Sequence, residues 1–257
     1  MLLAAAALLP VNLTLGVVLA VVLLAAVAVA SCARLTQENG RSYARAILTA
    51  GLRATLQLAV VSWAIGWVVG AVPSLLGFVA LMFAVAVRTS GRRITAGSTW
   101  WWTAVPIASG VLPVLAVLLL TGLVPLRGVA LIPVAGILIG GALTATVLAG
   151  RRALEELETR KGEVEAGLAL GLLPHEARLE IARPVAAGAL LPGLDQTRTV
   201  GLVTLPGAFV GMLLGGASPL MAGAVQLFVL VALLLVQVVA VASVLELIAY
   251  GRLRRVP

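Results

Sequence analysis

Long apolar runs separated by short arginine-rich segments dominate the pattern of this 257-residue chain. A helix that crosses the hydrocarbon core of a bilayer needs about 20 mostly apolar residues. The pattern therefore predicts an all-α integral membrane protein of about seven transmembrane helices, formed by a single transmembrane domain over residues 1–257. The third and sixth of these spans are short, which allows tilt or a partly re-entrant course. The predicted spans are Asn12–Cys32, Ile47–Gly70, Val72–Val87, Ala104–Leu123, Gly128–Ala149, Thr199–Gly215 and Leu220–Tyr250.

The composition is also that of a chain surrounded largely by membrane lipid. Hydrophobic residues make up 61% of it and charged residues 11%, whereas a soluble domain has about 45–50% and about 25%. The net charge of +8 could indicate a protein that binds nucleic acid. The cationic side chains lie in short clusters between apolar runs, however, so membrane lipid is the predicted partner and nucleic acid is not.

The arginine clusters occur in alternate loops, which sets the predicted orientation. Loops rich in arginine face the cytoplasm, which places the N-terminus outside and the C-terminus in the cytoplasm, as an odd number of spans requires. The expected location is the inner (cytoplasmic) membrane, crossed several times. The opposite loops contain only Arg127, and the clusters are Arg34, Arg41 and Arg45; Arg88, Arg92 and Arg93; Arg151, Arg152, Arg160, Lys161, Arg178 and Arg183; and Arg252, Arg254 and Arg255.

The residue types also limit the chemistry. One Cys and one His exclude a disulfide framework and a Cys/His metal cluster. The lone lysine, Lys161, is followed by Gly162, so the chain has no Gly-Lys-Ser/Thr loop for nucleotide phosphates. We therefore predict that this chain binds no cofactor and is not an enzyme. If ATP drives it, the ATP and magnesium belong to a separate subunit.

Residues 150–184 form the only long polar stretch between spans. Pairs such as Glu156 and Arg160 have the i,i+4 spacing of an exposed helix, so the fifth span is expected to continue into the cytoplasm. Gly171 is a plausible helix stop, and Pro174 suits the first turn of a second helix. The prediction is a helix, a bend at residues 170–173 with an apolar leucine surface, and another helix. Such a surface outside the membrane is typical of a partner site.

The sequence in this stretch resembles the EAA loop of ABC importer permeases. Glu165-Ala166-Gly167, Gly171 and Ile181-Ala182-Arg183-Pro184 match its spacing, with Gly167 in place of the second alanine and Arg183 in place of the leucine. The resemblance implies a loop that docks into a cleft of an ATPase subunit; the alternative is an ordinary cytoplasmic helical hairpin. The implied coupling residues are Glu165, Ala166, Gly167, Gly171, Leu172, Leu173, Pro174, His175 and Arg178.

A second resemblance covers roughly residues 10–250. The residues that carry it include Asp195, Thr199–Val203, Leu205-Pro206-Gly207, Gly211, Pro133-x-Ala135-Gly136 and, more loosely, Arg45, Arg53 and Gln57. They resemble the bacterial iron-export ABC permeases and the related plant half-transporters linked to aluminium tolerance. The resemblance implies a permease homodimer with two copies of a cognate ATPase, exporting iron or a related metal. The glycine face of the sixth span is the best candidate for the dimer seam.

The candidate residues for a transport path through the membrane are Gln57, Asp195, Pro206 and Gly207. Asp195 shares a helix face with Arg198, so it is either a gate or a local ion-pair partner. The break at Pro206-Gly207 either frees carbonyls for a cation or is a packing kink. Glu246 is expected near Arg252 or Arg254. The sequence assigns no metal ligands. The alternative functions are an ABC permease for a nucleotide sugar or lipid, and an ATP-independent carrier.

Overall fold

A computed structural model describes residues 12–36, 40, 42–68, 70–124 and 128–255, without the side chains of Trp67, Gly128 and Val129. The predicted loop arginines Arg41 and Arg127 lie outside these residues. The described residues contain ten α-helices and two short 3-10 helices, at Ser98–Thr103 and Gly188–Leu190. The α-helices are α1 (Leu13–Cys32), α2 (Tyr43–Val68), α3 (Val72–Ile94), α4 (Ala104–Leu120), α5 (Gly128–Thr159), α6 (Lys161–Ala169), α7 (Pro174–Ala187), α8 (Leu191–Thr199), α9 (Gly207–Leu214) and α10 (Pro219–Ala249).

Six helical segments of the described residues are long and apolar enough to cross a bilayer. They correspond to α1, α2, α3, α4 with its preceding 3-10 turn, α5 and α10. The all-α membrane fold predicted from the sequence is thereby confirmed. The chain divides into two compact units, residues 1–67 and residues 68–257, and the assignment of one domain stays a prediction.

The first unit contains α1 and nearly all of α2. Asn12 caps α1, because its side-chain oxygen accepts a hydrogen bond of 3.0 Å from the Leu15 backbone N–H. The two helices approach closely at Gly51 of α2, where a Cβ atom would lie 2.7 Å from Leu23 Cδ1. Most of their apolar side chains are exposed, as expected of helices whose outer surface faces lipid.

The second unit packs α3, α4, α5, α7 and α10 around one apolar core. Small residues allow its helices to approach closely. At Gly110 of α4, a Cβ atom would lie only 2.8 Å from the backbone oxygen of Val236 in α10. The hydroxyls of Ser109 and Ser243 are 3.0 Å apart and join the same two helices. Leu138 in α5 and Val244 in α10 are almost completely buried.

Helices α5 and α10 run in the same direction. Gly141 in α5 packs directly against Leu233 in α10. Further along both helices, Arg255, just after α10, lies 3.1 Å from the Glu158 carboxylate near the end of α5. Because the two helices are parallel, the chain must cross back along the bundle after the end of α5 and before the start of α10.

This return is made by residues 191–214, here called the return segment, whose second half overlaps the predicted sixth span. The prediction of one span over Thr199–Gly215 is not confirmed, since α8 ends at Thr199 and α9 has only eight residues. At 1.5 Å per residue, α9 is about 12 Å long, far short of a bilayer core of about 30 Å. Gly201 adopts a positive φ of 81°, and Pro206 is extended ahead of α9. Both residues interrupt the helix.

The ends of three other helices can be compared with the prediction. Helix α3 continues beyond Val87 to Ile94, so its last turn contains Arg92 and Arg93, where cations stabilise the negative end of a helix dipole. Helix α4 ends at Leu120 and is preceded by the 3-10 helix of Ser98–Thr103. Helix α5 continues through its charged end to Thr159, as the charge spacing predicts.

Candidate functional site

The junction between α5 and α6 is held by Arg160. Its Nε donates a hydrogen bond of 2.6 Å to Glu163, and its Nη1 lies 3.4 Å from Glu156. These bonds raise the pKa of the Arg160 guanidinium. The hydrogen bond from Arg160 lowers the pKa of the Glu163 carboxyl below its ordinary value. The predicted pair of Glu156 and Arg160 is thereby confirmed, and Arg160 also links the end of α5 to Glu163 in α6.

The predicted bend after α6 is present. Gly171 has a φ of +93°, a conformation that glycine adopts without steric cost. Its N–H bonds to the Leu168 oxygen at 3.0 Å, and the Leu172 N–H bonds to the Gly167 oxygen at 3.1 Å. This pair of bonds is a Schellman motif, which ends helices. Pro174 then begins α7, where its missing N–H has no cost.

The bend exposes an apolar surface, here called the leucine turn, formed by Leu168, Leu170, Leu172 and Leu173. Leu170 is 86% exposed and Leu173 63%. All four residues follow the charged end of α5, beyond its apolar run. Lipid therefore does not account for their exposure, and a contiguous apolar surface rimmed by charge is typical of a protein partner site.

The other residues of the EAA-like pattern lie beside this surface. Glu165 is exposed on α6 and is 3.8 Å from Lys161. At Gly167 a Cβ atom would lie 3.3 Å from both the Ala177 Cβ and the Leu172 side chain. The glycine that replaces the second alanine of the pattern therefore lets α6 pack closely against the start of α7. The predicted coupling residues thus lie together in space.

Helix α7 is bonded directly to the end of α10. The His175 Nε2 atom is 2.7 Å from the Glu246 Oε2 atom, and the His175 ring packs on Tyr250 with centroids 4.2 Å apart. Arg178 donates a hydrogen bond of 2.9 Å to the backbone oxygen of Ala249. The start of α7 brings His175 to the Glu246 carboxylate, a partner that the sequence did not indicate, and the expectation that Glu246 lies near Arg252 or Arg254 stays a prediction.

The residues that follow α10 also contact this region. Arg255 crosses to Glu158 on α5, and together with Arg178, Leu157 and Val164 it lines a cleft of about 430 Å³ between α5, α6 and α7. Sequence spacing did not indicate these contacts, since the partners are 71 and 97 positions apart. The only available signal was the opposite charge of polar groups at helix ends.

The candidate path residues are placed in two separate units. Gln57 is an exposed residue of α2 in the first unit. In the second unit Asp195 Oδ1 is 3.6 Å from Arg198 Nη1, and both side chains are about two-thirds exposed, at 67% and 69%. Pro206 and Gly207 follow at the start of α9. The described residues contain no group of three or more His, Cys, Asp or Glu side chains that could hold a metal ion.

Two glutamines inside α10 are buried. Gln226 and Gln237 are 6% and 7% exposed. The Gln237 carboxamide occupies the space that a Cβ atom on Gly193 would fill. Gly193 therefore lets α8 pack against α10 at this level, and the side chain of Gln237 packs between helices.

This arrangement defines an α-helical, multi-pass membrane protein. The chain belongs to the family described as Uncharacterised protein family (UPF0014), which matches residues 13–252. The resemblance found in the sequence is thereby confirmed, and a probable iron export permease is among the relatives.

Three relatives show the range of the family. The UPF0014 membrane protein STAR2 of rice is 34% identical over 86% of this chain and 76% of its own length. The Arabidopsis thaliana protein ALUMINUM SENSITIVE 3 is 33% identical over 75% of this chain and 71% of its own. The probable iron export permease protein FetB of Escherichia coli is 32% identical over 49% of this chain and 48% of its own. No solved structure matches the chain.

Proposed function

We propose that this protein is the permease subunit of an ATP-binding-cassette transporter of the inner membrane. Two copies would pair with two copies of a separate ATPase, which binds ATP and magnesium. The observation that carries the proposal is the leucine turn, an exposed apolar surface in an EAA-like sequence. Helix α7, which directly follows this surface, is hydrogen-bonded to the end of the membrane helix α10 through His175 and Arg178.

The contacts around α7 explain how a docked ATPase would act on the membrane helices. A partner that binds the leucine turn presses on the first turn of α7. The His175–Glu246 bond and the Arg178–Ala249 bond transmit that displacement to α10. Helix α10 packs in turn against α4 and α5, so the motion reaches the bundle.

For the cargo we propose iron or a related metal, exported from the cytoplasm. The support is the iron export permease among the relatives and the oxygen donors of the return segment, which suit a hard or transient ion. Asp195 and the backbone carbonyls around Pro206 are the donors available there. An ABC permease for another cargo, such as a nucleotide sugar or lipid, is the alternative.

Proteoliposomes that hold this chain with its candidate ATPase test the proposal. The readout is ATP-dependent ferrous-ion flux, together with co-purification of the two subunits. We expect Leu170→Asp to abolish co-purification and flux, because it places a charge in the centre of the docking surface. Thr159→Asp introduces the same charge at an exposed position on α5 outside the leucine turn and should leave both readouts unchanged.

Three outcomes are informative. Flux that requires both subunits supports the metal-exporting permease. A complex that hydrolyses ATP without moving iron keeps the permease assignment and refutes the cargo. If no complex forms, the docking surface is wrong, and an ATP-independent carrier becomes the better hypothesis.

A further inference from the structure

A cavity of about 490 Å³ lies at the arginine-rich end of α10. Its apolar wall contains Leu247, close to the end of α10, and Trp102, in the 3-10 helix that precedes α4. Its polar rim contains Arg252 and Arg254, which follow α10. The volume is within the range of about 300–1,000 Å³ that is typical of small-ligand sites. None of these residues belongs to the leucine turn or to the candidate path.

The cavity lies at the surface of the membrane. It forms where α4 begins and α10 ends, and both helices are long and apolar enough to cross a bilayer. The Arg252 guanidinium lies 5.5 Å from the centre of the Trp102 ring, and Arg92 at the end of α3 lies 5.8 Å from the Trp100 ring. Tryptophan is enriched at the level of the lipid headgroups, and arginine on the cytoplasmic side. The cavity therefore adjoins the headgroups of one leaflet.

The rim of the cavity is cationic. Among the salt bridges of the described residues, none involves Arg252 or Arg254. The Arg254 Nε donates a hydrogen bond to the backbone oxygen of Gly251, which uses one of the several N–H donors of a guanidinium. A Cβ atom built on Gly251 would lie 3.2 Å from Arg254 Nη2 and 3.3 Å from Arg178 Nη1. Two guanidinium groups therefore converge on this glycine.

Carboxylates at this end of the bundle are paired with other cationic residues. Glu246 is bonded to His175, and Glu158 to Arg255. Neighbouring like charges repel each other, and an anion bound between them offsets that repulsion. The cavity therefore favours an anionic ligand.

We propose that this cavity binds an anionic phospholipid, with its phosphate at Arg252 and Arg254 and the start of its acyl chains against Leu247 and Trp102. Arginine binds phosphate oxygens through parallel N–H bonds, and basic pockets beside membrane helices on the cytoplasmic side bind anionic headgroups. A zwitterionic headgroup brings its own ammonium group beside the phosphate, so the guanidinium groups select the anionic class. A free phosphate ion would satisfy the arginines but leave the apolar wall in contact with water.

The lipid site adjoins the contact between α7 and α10. Tyr250 lines the cavity, and its ring packs on His175. A bound lipid would join the end of α10 to the turn before α4, and so would support one side of this aromatic contact. That consequence for coupling rests on the proposed function, whereas lipid binding itself does not.

Native mass spectrometry of the purified chain, with phosphatidylglycerol added in detergent, tests the site. We expect the parent chain to retain phosphatidylglycerol more strongly than phosphatidylcholine. Arg252→Gln and Arg254→Gln should each bind it about tenfold more weakly, the loss expected for one charged hydrogen bond. The matched control is Arg93→Gln, which removes the same charge from an exposed position in the last turn of α3, outside the cavity. It should bind phosphatidylglycerol as the parent does.

Thermal unfolding in the same detergent is a second measurement. A ligand that binds the folded state stabilises it. Phosphatidylglycerol should therefore raise the melting temperature of the parent chain and of Arg93→Gln, but not that of the double variant Arg252→Gln/Arg254→Gln. If the double variant does not fold, the two single variants carry the same test with a smaller rise than in the parent.

Four results would overturn the proposal. Equal retention of phosphatidylglycerol and phosphatidylcholine would mean that the cavity does not select an anion. Equal weakening by all three substitutions would mean that general surface charge attracts the lipid. Displacement of the lipid by inorganic phosphate, but not by chloride at the same ionic strength, would assign the site to a free anion. If Arg252→Gln and Arg254→Gln bind lipid normally but lose co-purification with the ATPase, the cavity belongs to the ATPase interface.

Discussion

The imidazole Nε2 atom of His175 lies 2.7 Å from the Glu246 carboxylate, so that the first turn of α7 is bonded to the last turns of α10. His175 is about one-quarter exposed and Glu246 about half exposed. The ring of Tyr250 packs on the imidazole from one side. The bond therefore connects the helix next to the proposed docking surface to α10, a helix of 31 residues.

Replacing the Glu246 carboxylate with an amide should weaken the coupling of ATP hydrolysis to transport more than it weakens binding of the ATPase. In Glu246→Gln we expect ATP hydrolysis by the complex to persist while iron flux per ATP falls by up to about fivefold, since a half-exposed charged bond contributes about 1 kcal/mol or less. The measurement is flux divided by hydrolysis in proteoliposomes. Glu180→Gln, at an exposed position on α7, is the control. An unchanged ratio in Glu246→Gln would show that α10 is not coupled through this bond.

The bend at Gly171 should be sensitive to any β-branched residue. A side chain at a φ of +93° costs about 1–2 kcal/mol or more, and relief of that strain would reshape the leucine turn. We expect Gly171→Val to insert into the membrane normally but to lose ATPase binding in co-purification. Gly162→Val is the matched control, because this glycine lies within α6 and has open space around it. Equal binding by both variants would contradict the docking assignment.

The sequence predicted the structural features that depend on a single local pattern of residues. Apolar run length predicted the membrane helices, and Gly171 and Pro174 predicted the bend, because a helix stop and a helix start are local events. Thr199–Gly215 was predicted as a span because its residues are apolar enough, although Pro206 signalled a break. The partner of Glu246 depends on how α7 packs against α10, and that contact joins positions 71 residues apart. No periodicity contains such information.

A close helix approach in the second unit predicts a stability difference between two glycines of α3. At Gly91 an added Cβ atom would clash with the backbone of Trp100, whereas Gly77 has open space. We expect Gly91→Ala to destabilise the fold by about 1–3 kcal/mol, as overpacking does. Gly77→Ala should be neutral or stabilising by up to about 1 kcal/mol. Thermal unfolding of both variants in detergent is the measurement. Similar melting temperatures would show that the Trp100 turn moves freely away from α3.

The α5–α6 junction should depend on pH in the acid range only. The Arg160 hydrogen bond lowers the pKa of Glu163 from an ordinary value of 4.5. A lowered pKa means that the stabilising contact is complete above 4.5 and is lost as the pH falls through the lowered value. We expect the carboxyl carbon of Glu163 to titrate below 4.5 in a carbon-13 NMR experiment, and to shift upward in Arg160→Gln. A Glu163 titration that Arg160→Gln leaves unchanged would mean that the pair does not form.

The charge of Asp195 gives the sharpest test of the membrane path. Asp195 is two-thirds exposed beside Arg198, so its replacement should not disturb a packed core. We expect Asp195→Asn to reduce iron flux per inserted molecule by tenfold or more, a change of about 1.4 kcal/mol, while expression and ATPase binding remain normal. Asp195→Glu retains the carboxylate and should recover part of the flux. If Asp195→Asn transports as well as the parent chain, the carboxylate is a local ion-pair partner. The path must then be formed by the backbone carbonyls near Pro206 alone.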